Sequence, residues 1–518
     1  MKIQTGAESV YRLIEQQFND LTGGEISTVA PGKMDTKYSL LLQNLYVGKD
    51  NKLRKILGFK PVHSNQIGTG VNSGIRYVYG GTTDRTFVGG QGVIYELTDN
   101  GLGEKTLTEV YSVDNPGAST QKIDFAQMGE KLVAVNGDDV ICSLESGTWQ
   151  GVTAWDLLPD FKPMKPFVYK NRMWYINSQN KMEAMCSELQ NATAIEGYID
   201  FSGVLPQADE LIDIKGYLDF ICFIFKNHIL VYTGNVPTGE DADFALYQVV
   251  TLSGIISGWT NLNVNNNLFL LTKTGIKNLA MVYPSTKIVV NDFSQINNPE
   301  IMRLIEDEFD AKYLCSGYYV AQDLYFWCFG RAAIVFSGRY KSFSRIIFPS
   351  SASQWTGAFM DVDGNMDVLA GGYLHRYGND FKFNGEDQLC IWKTAWLPLH
   401  PYGATCYPKY ADIMVAAAKE GGSLDVNAQI FNGEFVSDNY AVGEYDVNYD
   451  NAVIASEMDK EQFYQWEDAF LMDSYTPIPL RVALMNCGKF LSLTIAEKTS
   501  INGLEFNGIG TFSDRRTK

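Results

Sequence analysis

Catalysis or metal binding needs reactive side chains at workable spacing, and this sequence offers few such sets. Its four histidines, His63, His228, His375 and His400, lie far apart, and none stands at metal-ligand spacing from another or from a cysteine. Each reads as structural. The eight cysteines, Cys142, Cys186, Cys222, Cys315, Cys328, Cys390, Cys406 and Cys487, include no C-x-x-C pair. Their dispersion reads as buried free thiols of a protein made in a reducing cytoplasm. No G-x-S-x-G, G-x-x-x-x-G-K-[ST] or H-E-x-x-H occurs. Asp361, Asp363, Asn365 and Asp367 faintly suggest a calcium loop, but the glycine is misplaced and Gly372 stands where a bidentate Glu is needed. A hairpin turn at Asp363-Gly364-Asn365 is the better reading. Sixty acidic residues offer many carboxylate pairs for glycoside chemistry, yet the S-x-D-x-G-x-x-W box of propeller sialidases is absent. No catalytic residue, metal or cofactor is expected.

The elements around these residues are mostly short strands. From about Arg76 the chain repeats an alternating apolar strand, a Gly/Asn/Asp turn and a second strand. Copies start near residues 75, 123, 167, 212, 262, 318 and 358. That spacing approaches the ~40–50 residues of a propeller blade. One such sheet cannot bury both its faces, whereas radially stacked sheets bury each other. The expected fold is therefore all-β: a propeller of six or seven blades over 61–388, then a C-terminal β-sandwich over 389–518. Residues 1–60 are expected to form a short helix and an extended segment. Thr5 and Glu8 make a capping box, and Val10, Leu13, Ile14, Phe18 and Leu21 recur at helical spacing. That apolar stripe (Val10, Leu13, Ile14, Phe18) is a candidate subunit or adaptor contact, or simple packing on the propeller. Leu218–Tyr232 reads as two strands turning at Lys226-Asn227, and a further turn is expected at Lys170-Asn171. Around Gly421-Gly422 the sandwich strands alternate.

Within the sandwich, 434–475 is an acidic insertion. It holds Glu434, Asp438, Glu444, Asp446, Asp450, Glu457, Asp459, Glu461, Glu467, Asp468 and Asp473 against the single base Lys460. It reads as a solvated loop with a short helix at Ser456–Phe470, or as an acidic element at a pore or gate. The whole chain carries a net charge of -18. A tight nucleic-acid binder needs a surplus of Lys and Arg to displace phosphate counterions, so that class is disfavoured, as is a protein of anionic membrane surfaces. No apolar run approaches the ~20 residues of a membrane span, and the N-terminus lacks the apolar core of a signal peptide.

Two stretches carry a resemblance. Gln43–Val62, QNLYVGKDNKLRKILGFKPV, places Asn44-Leu45-Tyr46 before the basic Leu53-Arg54-Lys55 and Gly58-Phe59. It resembles the opening of tail nozzle proteins of short-tailed phages (podoviruses), also called packaged-DNA stabilization or tail tubular proteins. Leu57 stands where that family commonly has Pro. The ending, Gly488–Ile509, is similar to the closing strands of the family's C-terminal sandwich. The resemblance implies a non-enzymatic virion subunit made in the host cytoplasm and assembled as a homohexamer. Its ring would sit distal to the head-to-tail adaptor under the portal, with fibres or spikes at its sides and a plug or needle at its end. Genomic duplex DNA would pass through it without sticking during ejection, and the acids Asp438, Glu444, Asp446, Asp450, Glu457, Asp459, Glu461, Glu467 and Asp468 would line or gate the bore. A propeller scaffold for protein interactions, a baseplate hub or receptor binder, and a propeller glycoside hydrolase are the competing readings.

Overall fold

The structure, a computed structural model, describes residues 13–514 except 31–32, 49–50, 69, 71, 80–82, 100–103, 114–120, 139, 153–160, 206–208, 238–241, 253, 284, 361–363, 418–421, 433, 435, 448–477 and 502. Two compact units divide the chain. One holds Phe59–Ile334 and Phe348–Tyr377, and the other holds Met1–Gly58, Val335–Ile347 and Gly378–Lys518.

The first of these is a propeller with seven inner strands: Ser73–Tyr79, Asp124–Met128, Pro163–Tyr169, Leu211–Tyr217, Leu262–Val264, Phe309–Tyr319 and Trp355–Met360. Each inner strand meets the next, and the seventh meets the first, so the ring closes. Blades 1 to 5 are four-stranded sheets in chain order. Blade 6 continues with Leu324–Gly330 and Ala332–Ser337, where the chain leaves the unit. Blade 7 is completed out of order. Gly58–Pro61 lies beside Tyr373–Asp380 as its fourth strand, and Val62 N–H bonds Leu374 O at 2.9 Å.

Local sequence explains the blades. Two-residue turns between antiparallel strands favour left-handed backbone at both positions. Gln91-Gly92, Ser146-Gly147, Lys170-Asn171, Asn265-Asn266 and Gly371-Gly372 all adopt it. The turn at Lys226-Asn227 also falls between strands, Phe220–Phe225 and His228–Thr233. Apolar residues alternating along the strands pack between neighbouring sheets: Phe87 and Ile94 of blade 1 share a core with Leu132, Cys142 and Trp149 of blade 2. Trp174 of blade 3 shares one with Phe223 and Leu230 of blade 4. At the ring's seam the strands approach so closely that only glycine fits. A Cβ on Gly74 would lie 2.2 Å from Phe359 Cε1, and one on Gly357 2.4 Å from Asn72 O.

The other unit is a sandwich. One sheet runs Ile478–Ala483, Tyr407–Ala416, Glu505–Asp514, Leu53–Lys55, Leu45–Val47. The other includes, in order, Ser342–Ile347, Tyr38–Gln43, Ile391–Thr394, Phe490–Glu497, Gly422–Phe431 and Tyr440–Val447. Ile413, Val415, Phe506 and Ile509 of the first sheet share one core with Leu42, Trp392, Val426 and Leu493 of the second. The strands on either side of Gly421-Gly422 therefore belong to different sheets rather than to one hairpin.

The expected N-terminal helix is corrected over its described part. Leu13–Phe18 is a strand, paired antiparallel with Ile509–Asp514 of Glu505–Asp514. Ile14 and Phe18, four apart, share a face in a helix and in a strand alike. The intervening Gln16 decides: it is half-buried while Glu15 and Gln17 are exposed, a period of two. The one α-helix among the described residues, Asn298–Glu308, was not expected. Pro299 in its first turn and the buried Ile301 and Leu304 three apart account for it.

Candidate functional site

One set of buried polar residues in the propeller lies on or beside its inner strands. Lys122, just before the inner strand of blade 2, reaches across the ring. Its Nζ donates to Leu314 O of blade 6 at 2.6 Å and to Thr356 O of blade 7 at 2.8 Å. Desolvation pushes this ammonium down to about 8. Asp124 of blade 2 pairs with Lys165 of blade 3 at 3.1 Å, both side chains nearly covered. Desolvation raises the Asp124 carboxyl and lowers the Lys165 ammonium, so both shifts favour the neutral forms. Trp259 lies among these lysines, with Lys165 Nζ 3.0 Å and Lys122 Nζ 5.0 Å from its ring centroid. Asp213 of blade 4 accepts from Asn261 Nδ2 at 3.0 Å, and Ser316 Oγ of blade 6 donates to Trp259 O at 3.2 Å. The propeller's axis is thus occupied by the chain's own side chains, bonded blade to blade.

The sandwich has a second polar set, built from the segments that carry the family resemblance. Asn44 takes a left-handed backbone, φ 56. Its Nδ2 donates to Leu389 O at 2.8 Å, and its Oδ1 accepts from Ile347 N–H at 3.0 Å. Lys55 is completely covered and donates to both oxygens of Glu497 at 3.0 Å, to Ser500 Oγ at 3.0 Å and to Ile501 O at 3.1 Å. Glu497 also accepts from the backbone N–H of Cys390 at 2.6 Å and of Ile501 at 2.7 Å. Arg54 reaches Glu505 at 3.0 Å. A further buried pair joins Arg345 to Glu25, which also accepts from Leu42 N–H at 2.9 Å. Such pairs hold only when every lone pair and proton is met, as at Glu497. The two stretches noted at opposite ends of the sequence therefore meet, through Leu53–Arg54 paired with Glu505–Phe506 and through Lys55–Glu497.

Of the acidic candidates, Asp438, Glu444 and Asp446 are described; Asp450, Glu457, Asp459, Glu461, Glu467 and Asp468 lie outside the described residues, as does the helix expected at 456–470. Glu444 and Asp446 share the exposed face of Tyr440–Val447. Lys498 pairs with Glu444 and holds its carboxyl below the usual range, so that charge is partly neutralised. Of the apolar stripe, Val10 lies outside the described residues. Leu13 opens the first strand, and Ile14 and Phe18 pack against the sandwich's own core, which accounts for them without a second subunit. The acids around the turn expected at Asp363-Gly364-Asn365 divide similarly: Asp361 and Asp363 are outside the described residues, and Asp367 is committed to Arg376 at 2.7 Å.

The structure adds a juxtaposition that sequence reasoning missed. His63 and His375, far apart in the chain, both lie against Tyr373 in blade 7, with ring centroids 5.6 and 6.1 Å from it. Leu374 N–H donates to His63 Nε2 at 2.8 Å, and His375 Nε2 bonds Ala370 O at 3.0 Å. Burial pushes His375 down to about 4. His228 bonds Asp209 at 3.0 Å. Among the described residues no group of three or more His, Cys, Asp or Glu is placed to hold a metal ion.

No protein-family model and no curated protein matches the chain. Among solved structures, a streptogramin B lyase aligns over 62% of this chain and 97% of its own, at 12% identity and TM-score 0.41. Virginiamycin B lyase from Staphylococcus aureus aligns over 60% and 97%, at 11% identity and TM-score 0.40. The WD40 propeller domain of Doa1 aligns over 62% and 96%, at 10% identity and TM-score 0.40. The chain is a β-propeller protein by its own radial sheets and closed ring of inner strands.

Proposed function

We propose that this chain is a non-enzymatic β-propeller scaffold, one subunit of a larger protein assembly. The observation that carries this reading is Lys122 spanning the axis to Leu314 and Thr356. With the axis occupied, the propeller offers partners its outer surfaces. The finer reading is a tail nozzle subunit of a short-tailed phage, ring-forming and passing the genome between subunits. It rests on the resemblance of 43–62 and 488–509, and is supported by the way those stretches interlock at Lys55–Glu497. The chain's charge of -18 suits a conduit that repels phosphate over a Debye length of about 8 Å.

Electron microscopy of the purified chain with its mass in solution tests both levels. A ring of six with a bore wide enough for duplex DNA supports the nozzle. A monomer that also fails to join a portal–adaptor complex removes the nozzle and leaves the scaffold. Hydrolysis of a glycoside panel would overturn both. If the acids line the bore, replacing Asp438, Asp446, Asp450 and Glu457 with Lys slows genome ejection; unchanged ejection removes that role.

A further inference from the structure

Six of the eight cysteines have no cysteine facing them across a strand pair, but Cys315 and Cys328 do. They are direct partners in the antiparallel ladder of Phe309–Tyr319 and Leu324–Gly330 in blade 6. Residues opposite each other in such a ladder project to the same face, with Cα atoms about 4.5–5.5 Å apart. A disulfide spans Cα separations of about 4.4–6.8 Å. We propose that Cys315 and Cys328 are a dithiol that closes into a cross-strand disulfide on reaction with a small peroxide, with Lys122 as its positioning residue.

Lys122 is set for that role by geometry. Its Nζ holds the carbonyl of Leu314, the residue before Cys315, and that of Thr356. The Cys315 sulfur in turn lies 3.7 Å from the carbonyl of Trp355, the residue before Thr356. The Cys328 thiol and the Lys122 ammonium both hold the Cys315 thiol below its ordinary pKa, whereas burial raises Cys142 and Cys222, and burial with the nearby Glu196 raises Cys186. The thiolate is the nucleophile, so Cys315 is the activated member of the pair. In the first step Cys315 ionises, and its thiolate attacks one peroxide oxygen. The S–O bond forms and the O–O bond breaks. The departing hydroxide takes up the proton that Cys315 released and leaves as water, giving a sulfenic acid. In the second step the Cys328 sulfur attacks the Cys315 sulfur. The S–S bond forms, the S–O bond breaks, and the Cys328 proton leaves with hydroxide as a second water. The two thiols lose two electrons, and hydrogen peroxide gains them. Cys315 is 3% exposed and Cys328 0%, so the oxidant must be nearly as small as water.

The test is mild hydrogen peroxide on the full chain, followed by non-reducing peptide mapping. A Cys315–Cys328 linked peptide, lighter by two hydrogen atoms and reversed by a thiol reductant, is expected, with Cys142, Cys186 and Cys222 unmodified. A bulky aromatic disulfide reagent should leave the folded pair untouched. Cys328→Ser should stop at a sulfenic acid on Cys315, captured by a cyclic diketone. Lys122→Met should slow closure at neutral pH and move its pH profile upward, because the thiolate loses the neighbouring positive charge. Free thiols at both positions after treatment, or no diketone capture in Cys328→Ser, would overturn the proposal. An unchanged pH profile in Lys122→Met would remove Lys122 from it.

Discussion

Lys55 has no exposed side-chain surface and meets Glu497 with both carboxylate oxygens engaged. Replacing it with Met strands a carboxylate in the sandwich core, at a cost of about 3–5 kcal/mol. The double variant Lys55→Met, Glu497→Leu should recover a large part of that in urea unfolding, because it removes the buried charge. His375 makes a second prediction at this scale. Its pKa falls from 6.5 to about 4 on folding, so the folded chain holds the neutral ring while the unfolded chain takes up a proton. Its stabilisation is complete above pH 6.5 and is lost as pH falls toward 4, amounting to roughly 3 kcal/mol. Propeller stability measured across that window should drop more steeply in the parent chain than in His375→Asn.

At the scale of elements, the closing strand of blade 7 is the most consequential. Phe59 on Gly58–Pro61 is fully buried, its ring centroid 5.9 Å from Trp355 and 5.0 Å from His375. Phe59→Ala should cost about 3–5 kcal/mol and expose the seam to proteolysis before any other blade. What sequence could show about elements follows from the range of the interactions involved. The blade hairpins were legible because alternation and turn chemistry are local: Lys170-Asn171 sits at its expected turn with both residues left-handed. The first strand was misread because Ile14 and Phe18 satisfy two periodicities at once, and its deciding partner lies in 509–514. Gly58–Pro61 was not legible as blade 7, since its neighbour Tyr373–Asp380 is far along the chain. The axial set was invisible for the same reason: Lys122, Asp124, Lys165, Asp213 and Trp259 sit on or beside successive blades, and no local spacing links them. The sandwich lock was half legible. Its two segments were singled out, but not their meeting at Glu497.

For the whole molecule, the dominant quantity is a net charge of -18. Like charges repel across a compact surface more than across an open chain. Raising ionic strength from about 0.01 to 0.1 M shortens the Debye length from about 30 to about 10 Å. The melting temperature should therefore rise over that interval and flatten beyond it. Under the same logic, filter binding at physiological salt should detect no retention of duplex DNA, and measurable retention would count against any conduit role.

The out-of-order closure of blade 7 also bears on how the protein is made. Gly58–Pro61 leaves the ribosome long before Tyr373–Asp380. At about 5–20 residues per second, the stretch between them takes on the order of 15–60 s to synthesise. Through that interval the early strand has no mate, and an unpaired edge is a template for any compatible chain. The seam that completes the ring is therefore where two nascent chains on one messenger would exchange strands.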